Sequence, residues 1–241
     1  MDNQINDKNT TVTGTTEAKA TVKLYLNGKL QKKTVTADSK GKFLFKISKQ
    51  KAGVVVKVVA SDSAKNATTK STKVLDKTAP KLSINQVSDK STTITGTTEA
   101  KATVKLYLNG KLQKTTVKAD SRGKFSFKIS KQKAGFVVKV VTSDTAKNAT
   151  TKSTKVVDKT APAIPTVKTV KTTTTKVTGT AEKNATVYVF NGKTKLGTAK
   201  VNVKGNYSVS IKKQKNRAKL TIYVKDAAGN QSKTKTVTVK K

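Results

Sequence analysis

The chain lacks the residues from which many catalytic and covalent sites are built. Among its 241 residues there is no cysteine and no histidine. The sequence therefore offers no disulfide, no thiol nucleophile and no side chain whose unperturbed pKa lies near neutrality. No apolar run approaches the roughly 20 residues of a membrane-spanning helix, and the opening residues MDNQINDKNT lack the apolar segment of a secretion signal. We therefore expect no membrane span and no disulfide staple.

Acidic residues are also scarce, and this gives the chain its strongest compositional feature. Thirteen aspartates and glutamates stand against 51 basic residues, for a net charge of +38. Only Arg122 and Arg217 are arginines. Because lysine is a hydrated point charge without the planar fork of arginine, this balance favours diffuse attraction to polyanions over specific recognition. A lysine-rich codon bias that yields an ordinary soluble surface is the alternative, and composition leaves both open.

The chain contains one sequence unit that occurs three times. Gly14, Gly96 and Gly179 open the phrases GTTEAKAT, GTTEAKAT and GTAEKNAT, and 82 residues separate Asp62 from Asp144 and Asp144 from Asp226. A period of this length suits independent domains rather than a solenoid. We predict domains at residues 1–80, 81–162 and 163–241. The first copy lacks the DKTAP joint and most of the first strand, so we expect it to be truncated in a piece of a longer protein.

Each unit is predicted to be a β-sandwich of about seven strands. In the second copy, residues 103–108 and 124–129 alternate apolar and polar side chains, as strands with one buried face do. Asn109-Gly110 is the dipeptide preferred in tight hairpin turns, residues 111–118 form the returning strand, and residues 153–157 supply the last. Strands separated by turn signals every eight to twelve residues are typical of all-β sandwiches.

The other two copies support this interpretation by conserving apolar character at inward positions. The corresponding sets are Leu24, Leu106 and Val189; Phe43, Phe125 and Tyr207; and Val58, Val140 and Ile222. The joints Asp76-Lys77-Thr78-Ala79-Pro80 and 158–162 contain proline and no glycine, so they should be short and stiff. We expect an elongated rod of ~100 Å, with each domain ~30 Å long at ~3.3 Å per strand residue.

Taken together, ITGTTEAKATVKLYLNG, ADSRGKFSFKI, DTAKN and DKTAP resemble the tandem bacterial immunoglobulin-like domains of secreted and surface proteins, mainly Gram-positive. The resemblance covers almost the whole chain. It implies a seven-stranded Ig-like sandwich, an extracellular location, a spacer or adhesive role, and no catalytic residues. Lys65 and Lys147 depart from the family by standing where the third copy, DAAGN, has glycine.

The carboxylates are placed as structural residues rather than as an active site. Twelve of the thirteen recur between copies: Glu17, Glu99 and Glu182; Asp62, Asp144 and Asp226; Asp38 and Asp120; Asp76 and Asp158; Asp7 and Asp89. An active site is normally unique, whereas these acids repeat with the unit, mostly at turns. We expect them to cap turns and joints, and we expect no catalytic residue, no cofactor and no enzyme activity in this chain.

A metal site and an internal covalent cross-link are two further alternatives, and the sequence favours neither. Asp144, Asn148 and Asp158 would meet a hard cation such as calcium with oxygen ligands if they converged at a domain joint. The net charge of +38 opposes such a site, and no D-x-D-x-D-G loop is present. An internal Lys–Asn cross-link is the other alternative. Lysine and asparagine are both so abundant that the sequence does not single out a pair that would form it. We predict no metal.

A basic Lys-Gln-Lys segment recurs once per unit and is the candidate contact for polyanions. Its lysines are Lys49, Lys51, Lys131, Lys133, Lys213 and Lys215. We interpret the segment first as a solvated hairpin tip with ordinary lysines, and contact of this tip with an anionic cell-wall polymer is the functional alternative. Phe43, Phe45, Phe125 and Phe127 fall on core positions. The outward aromatics, Tyr25, Tyr107, Tyr188, Phe190 and Tyr223, show no stacking platform in the sequence.

These observations favour a non-catalytic module of a secreted or cell-surface protein, monomeric, that spaces or presents another part of that protein. Its lysine-rich faces would hold it to anionic envelope polymers. Two alternatives stay open at this point. The repeats are themselves an adhesin for a host or matrix ligand, or they are an accessory region of an extracellular enzyme. An aromatic or polar pocket in one repeat alone would favour the adhesin.

Overall fold

Residues 4–241 are described by a computed structural model, and they fold as three β-sandwiches with no helix in this range. The first domain contains β1 (Thr11–Thr15), β2 (Thr21–Leu26), β3 (Lys29–Leu30), β4 (Val35–Thr36), β5 (Lys42–Lys46), β6 (Val55–Ser61) and β7 (Ala67–Lys73). The second contains β8 (Ser83–Ile84), β9 (Thr93–Thr97), β10 (Thr103–Leu108), β11 (Lys111–Lys118), β12 (Lys124–Lys128), β13 (Val137–Ser143) and β14 (Ala149–Lys155). The third contains β15 (Lys176–Thr180), β16 (Thr186–Asn191), β17 (Thr194–Lys200), β18 (Asn206–Ser210), β19 (Lys219–Lys225) and β20 (Lys235–Thr238).

Two sheets form each sandwich, and all the paired strands are antiparallel. In the second domain β8, β9 and β12 make one sheet, and β11, β10, β13 and β14 make the other in that order. The third domain repeats this with β15–β18 and β17–β16–β19–β20, and the first with β1–β5 and a sheet in which β2 pairs with β3, β4 and β6, and β6 with β7. A single parallel bridge near each C-terminal strand, such as Ser88 to Val157, closes the sandwich. The all-β prediction is confirmed.

The cores lie between the two sheets and are formed by the predicted inward positions. Leu24, Leu106 and Val189 are each no more than 1% exposed. Phe43, Phe125 and Tyr207 are buried, as are Val58, Val140 and Ile222. Fully burying a side chain of this size contributes about 1.5–3 kcal/mol. These buried sets, alternating with exposed neighbours, give each 80-residue unit its own core.

The repeated glycine of the GTTEAKAT phrase is required by a close approach of two strands. A Cβ at Gly96 would lie 2.1 Å from the carbonyl oxygen of Ser83, and one at Gly179 would lie 2.0 Å from that of Thr166. Any side chain would therefore push the first segment of the domain away from its sheet. This steric demand explains why glycine recurs at these positions.

The third domain has six strands rather than the seven expected, because its first segment bonds to β15 differently. Thr166 donates its N–H to the Thr180 carbonyl, but the Thr180 N–H goes to the Thr166 hydroxyl at 2.8 Å. The Thr166 carbonyl instead accepts the Tyr207 hydroxyl at 2.7 Å. In the second domain the Thr97 N–H likewise reaches a side chain, the Ser83 hydroxyl at 3.2 Å, so the bond from Tyr207 is what distinguishes the third domain. Phe125, which stands at the Tyr207 position in the second domain, has no hydroxyl to do this.

The hairpin turn predicted at Asn-Gly holds in two domains and shifts by one residue in the third. Asn109 and Gly110 have φ of 47° and 86°, which is the pair of positive angles of a type I′ turn. In the third domain Asn191 pairs with Thr194, so Gly192 and Lys193 form the loop. Gly192 has φ of 55°, as expected for the first central residue of a type II′ turn. The loss of one residue in this copy causes the change.

The last strand of the second domain begins earlier than the sequence predicts. It starts at Ala149, four residues before the predicted range 153–157, because Asp144 to Asn148 complete a tight turn. The predicted truncation of the first strand in the first domain falls largely on residues 1–3, which lie outside the described residues.

Candidate functional site

The Lys-Gln-Lys segments, which we call the lysine loops (residues 48–51, 130–133 and 212–215), expose all six candidate lysines. In each loop the glutamine folds back. Gln50, Gln132 and Gln214 donate their side-chain amides to the carbonyls of Ser48, Ser130 and Lys212, each at 2.9 Å. The glutamine is therefore used to shape the loop, and the lysines on either side of it are left at the surface.

The lysine loops are not hairpin tips, contrary to our prediction. The loop at 48–51 joins β5, which pairs with β1, to β6, which pairs with β2 and β7. It therefore crosses from one sheet of the sandwich to the other. The equivalent loops in the other domains join β12 to β13 and β18 to β19, again between sheets. Whether a loop joins two paired strands or crosses between sheets depends on contacts between residues far apart in the sequence. The loop sequence alone does not reveal it.

The recurring aspartates hold turns, as the sequence predicts. Asp120 accepts the backbone N–H groups of Lys124 and Arg122, both at 2.8 Å. These two hydrogen bonds and the positive charges of the same two side chains hold the pKa of Asp120 below its usual value. Asp144 accepts the backbone N–H of Asn148 at 2.9 Å and its side-chain amide at 2.9 Å. Hydrogen bonds from Asn66 lower the pKa of Asp62 in the same way.

Two other recurring aspartates, Asp7 and Asp89, hold the two joints. Asp89 accepts the backbone N–H of Lys159 at 2.9 Å and also bonds the Thr160 hydroxyl, so the joint is tied to the domain before it. The bond from Thr160, followed by that from Lys159, lowers the pKa of Asp89. At the first joint Asp7 accepts the N–H of Lys77 at 3.0 Å. The joint residues are thus part of the hydrogen-bonded structure.

Each joint is bonded to the following domain as well. The Asn148 side chain donates to the Asp76 carbonyl at 3.2 Å, and the Asn230 side chain donates to the Asp158 carbonyl at 3.3 Å. This arrangement shows that the grouping of Asp144, Asn148 and Asp158 considered for calcium is wrong. Asp144 and Asn148 lie at the first joint, whereas Asp158 lies at the second beside Asn230.

Carboxylates do approach one another at the second joint. Burial, followed by the negative charges of Asp226 and Asp158, raises the pKa of Glu182. Within residues 4–241, however, no group of three or more acidic, histidine or cysteine side chains has the arrangement to hold a metal ion. The buried polar residues described there are Thr142, Asp144 and Ser232.

The outward face of the larger sheet differs among the domains. In the first two, one tyrosine on this face is covered by a lysine from the neighbouring strand. The Nζ of Lys57 lies 4.4 Å from the Tyr25 ring centroid, and that of Lys139 lies 4.0 Å from the Tyr107 ring centroid. Such cation–π contacts contribute about 0.5–1 kcal/mol at exposed sites. They also occupy the ring face that a ligand would use.

In the third domain this face carries an aromatic row. Tyr188 and Tyr223 are directly opposed in the register of β16 and β19, with ring centroids 5.1 Å apart and planes inclined by 16°. Phe190 lies 5.7 Å from Tyr223 at the same inclination. All three side chains are partly exposed. The expectation of no stacking platform is therefore wrong. The strand alternation placed these residues outward, but only the cross-strand register brings them together.

Three clefts recur at equivalent positions in the three domains. Volumes of about 550, 440 and 490 Å³ lie beside Gly14, Gly96 and Gly179 respectively. Each is open and lies against the smaller sheet, next to the aromatic residue at position 43, 125 or 207. Because they recur in all three domains, they follow from the fold. A further cleft of about 450 Å³ lies in the second domain and is lined by residues that include Leu108, Leu112 and Ile129. On the outward face of the larger sheet, the stacked rings belong to the third domain, whereas Lys23 and Lys105 stand at the Tyr188 position in the other two.

Comparisons with known proteins agree with this architecture. The model of the bacterial Ig domain matches residues 1–76, 79–158 and 161–241. The cell wall-associated protease of Bacillus subtilis (strain 168) is 29% identical over 157 residues, which is 65% of this chain and 17% of that protein. The chain thus aligns with a minor part of that relative's length.

One solved structure resembles the chain closely enough to support the fold. Titin domains A168–A170 match with a TM-score of 0.53 at 13% identity, covering 99% of this chain and 97% of that one. A structure from a bacterial ice-binding adhesin matches with a TM-score of 0.32 at 22% identity, covering 95% and 90%. In the part of the chain that the structure describes, no helix is long and apolar enough to cross a membrane. The chain belongs to the bacterial Ig domain family and carries three copies of that domain in tandem.

Proposed function

We propose that this chain is a non-catalytic spacer and presentation module of a bacterial secreted or cell-surface protein, held to anionic envelope polymers by its lysines. Membership of the bacterial Ig domain family supports an extracellular module. The name of the related cell wall-associated protease supports a place at the wall. The repetition of the acidic residues at structural positions speaks against an active site.

The observation that supports attraction to polyanions is the different placement of acidic and basic side chains. Aspartates such as Asp89, Asp120 and Asp144 accept hydrogen bonds within turns and joints, whereas the six loop lysines are exposed. With a net charge of +38, the surface field attracts polyanions and falls off with salt. Binding should therefore release counterions and weaken steeply as salt rises.

The test is retention of the 241-residue chain on purified Gram-positive cell walls, with and without their anionic polymers, at low and at physiological salt. We expect retention that is lost on removing the polymers or on adding salt. Equal retention at all salt concentrations, or no retention in any condition, would overturn the electrostatic proposal.

A matched pair of variants tests whether the lysine loops are the contact. One variant replaces the six loop lysines by glutamine. The control replaces six other exposed lysines, Lys29, Lys42, Lys111, Lys124, Lys193 and Lys204. Both remove the same charge. We expect the loop variant to lose more retention, because the two lysines of each loop are separated by one residue and present their charge together, whereas the two control lysines of each domain are well separated in the sequence. Equal losses would mean that net charge alone acts and would overturn the loop contact.

A second candidate function is an accessory region of an extracellular enzyme. It is favoured by the match to a protease over 17% of that protein's length. In this case the module would position a catalytic domain elsewhere in the same protein at the wall. The sequence flanking this chain in its parent gene tests the idea: a protease domain there supports it, and a parent made only of repeats and an anchor contradicts it.

A further inference from the structure

We propose that the outward face of the larger sheet in the third domain is a binding site for an acidic polysaccharide. The site, which we call the aromatic face, consists of Tyr188, Phe190 and Tyr223, with Lys195, Lys200 and Lys225 around them. This inference rests on the proposed function, because the proposed function makes the cell wall the source of the ligand. The aromatic face adds a specific contact that the diffuse field of the lysines does not provide.

Three substitutions relative to the other domains create this face. Tyr188 stands at the position of Lys23 and Lys105, and Tyr223 at that of Val59 and Val141. Thr221 stands where Lys57 and Lys139 cover their tyrosines. The third domain thus gains two rings and loses the lysine that would cover Phe190. All three rings are partly exposed. Because aromatic side chains favour removal from water, a partly exposed aromatic row on an open sheet face indicates a partner.

The charges around the row fit an anion. By register, Lys195 lies opposite Phe190, and Lys200 and Lys225 flank Thr186 on the two neighbouring strands. Directly opposed residues of antiparallel strands share a face, so these lysines project on the side of the rings. The Nζ of Lys225 lies 5.9 Å from the Tyr188 ring centroid, farther than the covering lysines of the other domains. It remains available to a carboxylate or phosphate above the sheet.

The neighbouring polar groups favour a sugar over a nucleic-acid base. Thr186, Thr198 and Thr221 lie on the same face by register. The Thr198 hydroxyl donates to the Val187 carbonyl at 2.7 Å and keeps its capacity to accept, and hydroxyl groups such as those of Thr186 and Thr221 can both donate to and accept from sugar hydroxyls. The C–H faces of sugar rings carry partial positive charge, which matches the negative faces of the aromatic rings. All the nearby cations are lysines, without the planar fork that favours phosphate and base recognition. An acidic polysaccharide offers apolar ring faces, hydroxyls and anions together.

The decisive variant exchanges the aromatic residues for those of the second domain. Tyr188→Lys with Tyr223→Val installs residues that occupy the same positions in a folded homologous domain, and it raises the net charge by one. Diffuse attraction predicts equal or tighter binding, whereas a contact through the rings predicts weaker binding. We expect about tenfold or greater loss of affinity, as for removal of central aromatic anchors, and we expect this loss to persist at high salt.

The probes are the acidic polysaccharide released from Gram-positive cell walls and a galacturonic acid hexamer, titrated into the 241-residue chain by calorimetry. Backbone NMR shifts locate the contact. Wild-type binding to either probe with shifts on β16 and β19, weakened in the variant, supports the proposal. No binding to either probe, shifts elsewhere, or equal affinity of wild type and variant would overturn it.

Two controls keep the result interpretable. Lys105→Tyr with Val141→Tyr and Lys139→Thr rebuilds the aromatic face in the second domain, because Lys139 would otherwise still cover Tyr107. This variant should add binding there, so the proposal can be tested even if the loss variant fails to fold. A deoxythymidine dodecamer is the competing ligand: binding to the aromatic face by this probe and not by the polysaccharides would overturn the proposal in favour of nucleic acid. Wall retention at low salt reports the lysines separately, because the loss variant keeps them all.

Discussion

At the scale of single residues, the hydroxyl of Tyr207 shows how one atom alters a repeated site. It donates to the Thr166 carbonyl at 2.7 Å, where the first two domains have Phe43 and Phe125. We expect Tyr207→Phe to destabilise the third domain by about 0.5–1.5 kcal/mol, the net value of one hydrogen bond. Calorimetric unfolding of the whole chain should show one transition moved to lower temperature and the other two unchanged.

The stability lost in Tyr207→Phe should also depend on pH, and the direction of this dependence follows from the pKa of Tyr207. Burial raises the pKa of Tyr207 to about 12, from an ordinary value near 10. As pH rises through this window the unfolded chain loses the proton before the folded one, so the wild type loses stability there. The phenylalanine variant has no such proton, so its stability deficit relative to the wild type should narrow between pH 10 and 12. A deficit that stays constant would contradict the assigned ionisation. Phe125→Tyr should add the same alkaline sensitivity to the second domain.

At the scale of structural elements, the joints are tied to both neighbouring domains. The Asn148 side chain bonds Asp144 within its own turn and the Asp76 carbonyl in the joint before it. We expect Asn148→Ala to free the second domain from the first, because the bond across the boundary is lost. Residual dipolar couplings of the two domains should report one shared alignment in the wild type and two different alignments in the variant.

The first domain supplies the matched control for this prediction. Asn66 makes the same side-chain bond to Asp62 at 2.8 Å, but no domain precedes it in the 241 residues. Asn66→Ala should therefore cost the same local turn stability and leave the alignment of the domains unchanged. Equal effects of the two substitutions on alignment would show that the Asn148 bond to the joint does not orient the domains.

The same elements show what the sequence could and could not predict. Alternation along a strand is local, so the buried positions such as Leu106 and the turn at Asn109-Gly110 were predicted correctly. Lys147 was correctly placed at a turn position suited to glycine, with φ of 68°. Contacts between strands depend on register and on which sheet a strand joins. The stacking of Tyr188 on Tyr223 and the sheet-crossing path of the lysine loops were missed for this reason.

At the scale of the whole molecule, three domains and two proline-containing joints determine how the charge is spread in space. A compact 241-residue globule would have a radius of gyration of about 18 Å. A rod of ~100 Å, built from domains ~30 Å long, would have one of about 29 Å by the geometry of a thin rod. An extended chain separates the three lysine loops and allows one molecule to contact a polymer at several points, as avidity requires.

We therefore predict a rod-like scattering profile in solution, with a radius of gyration near 29 Å that changes little between low and high salt. The reason is that the joints are hydrogen-bonded on both sides, through Asp89 and Asn230 at the second joint, so charge repulsion is not needed to extend the chain. Small-angle X-ray scattering measures this directly. Replacing Pro80 and Pro162 by glycine should loosen the joints and make the radius fall as salt screens the repulsion. A wild-type radius near 18 Å, or one that collapses on adding salt, would contradict stiff joints and weaken the case for multipoint contact.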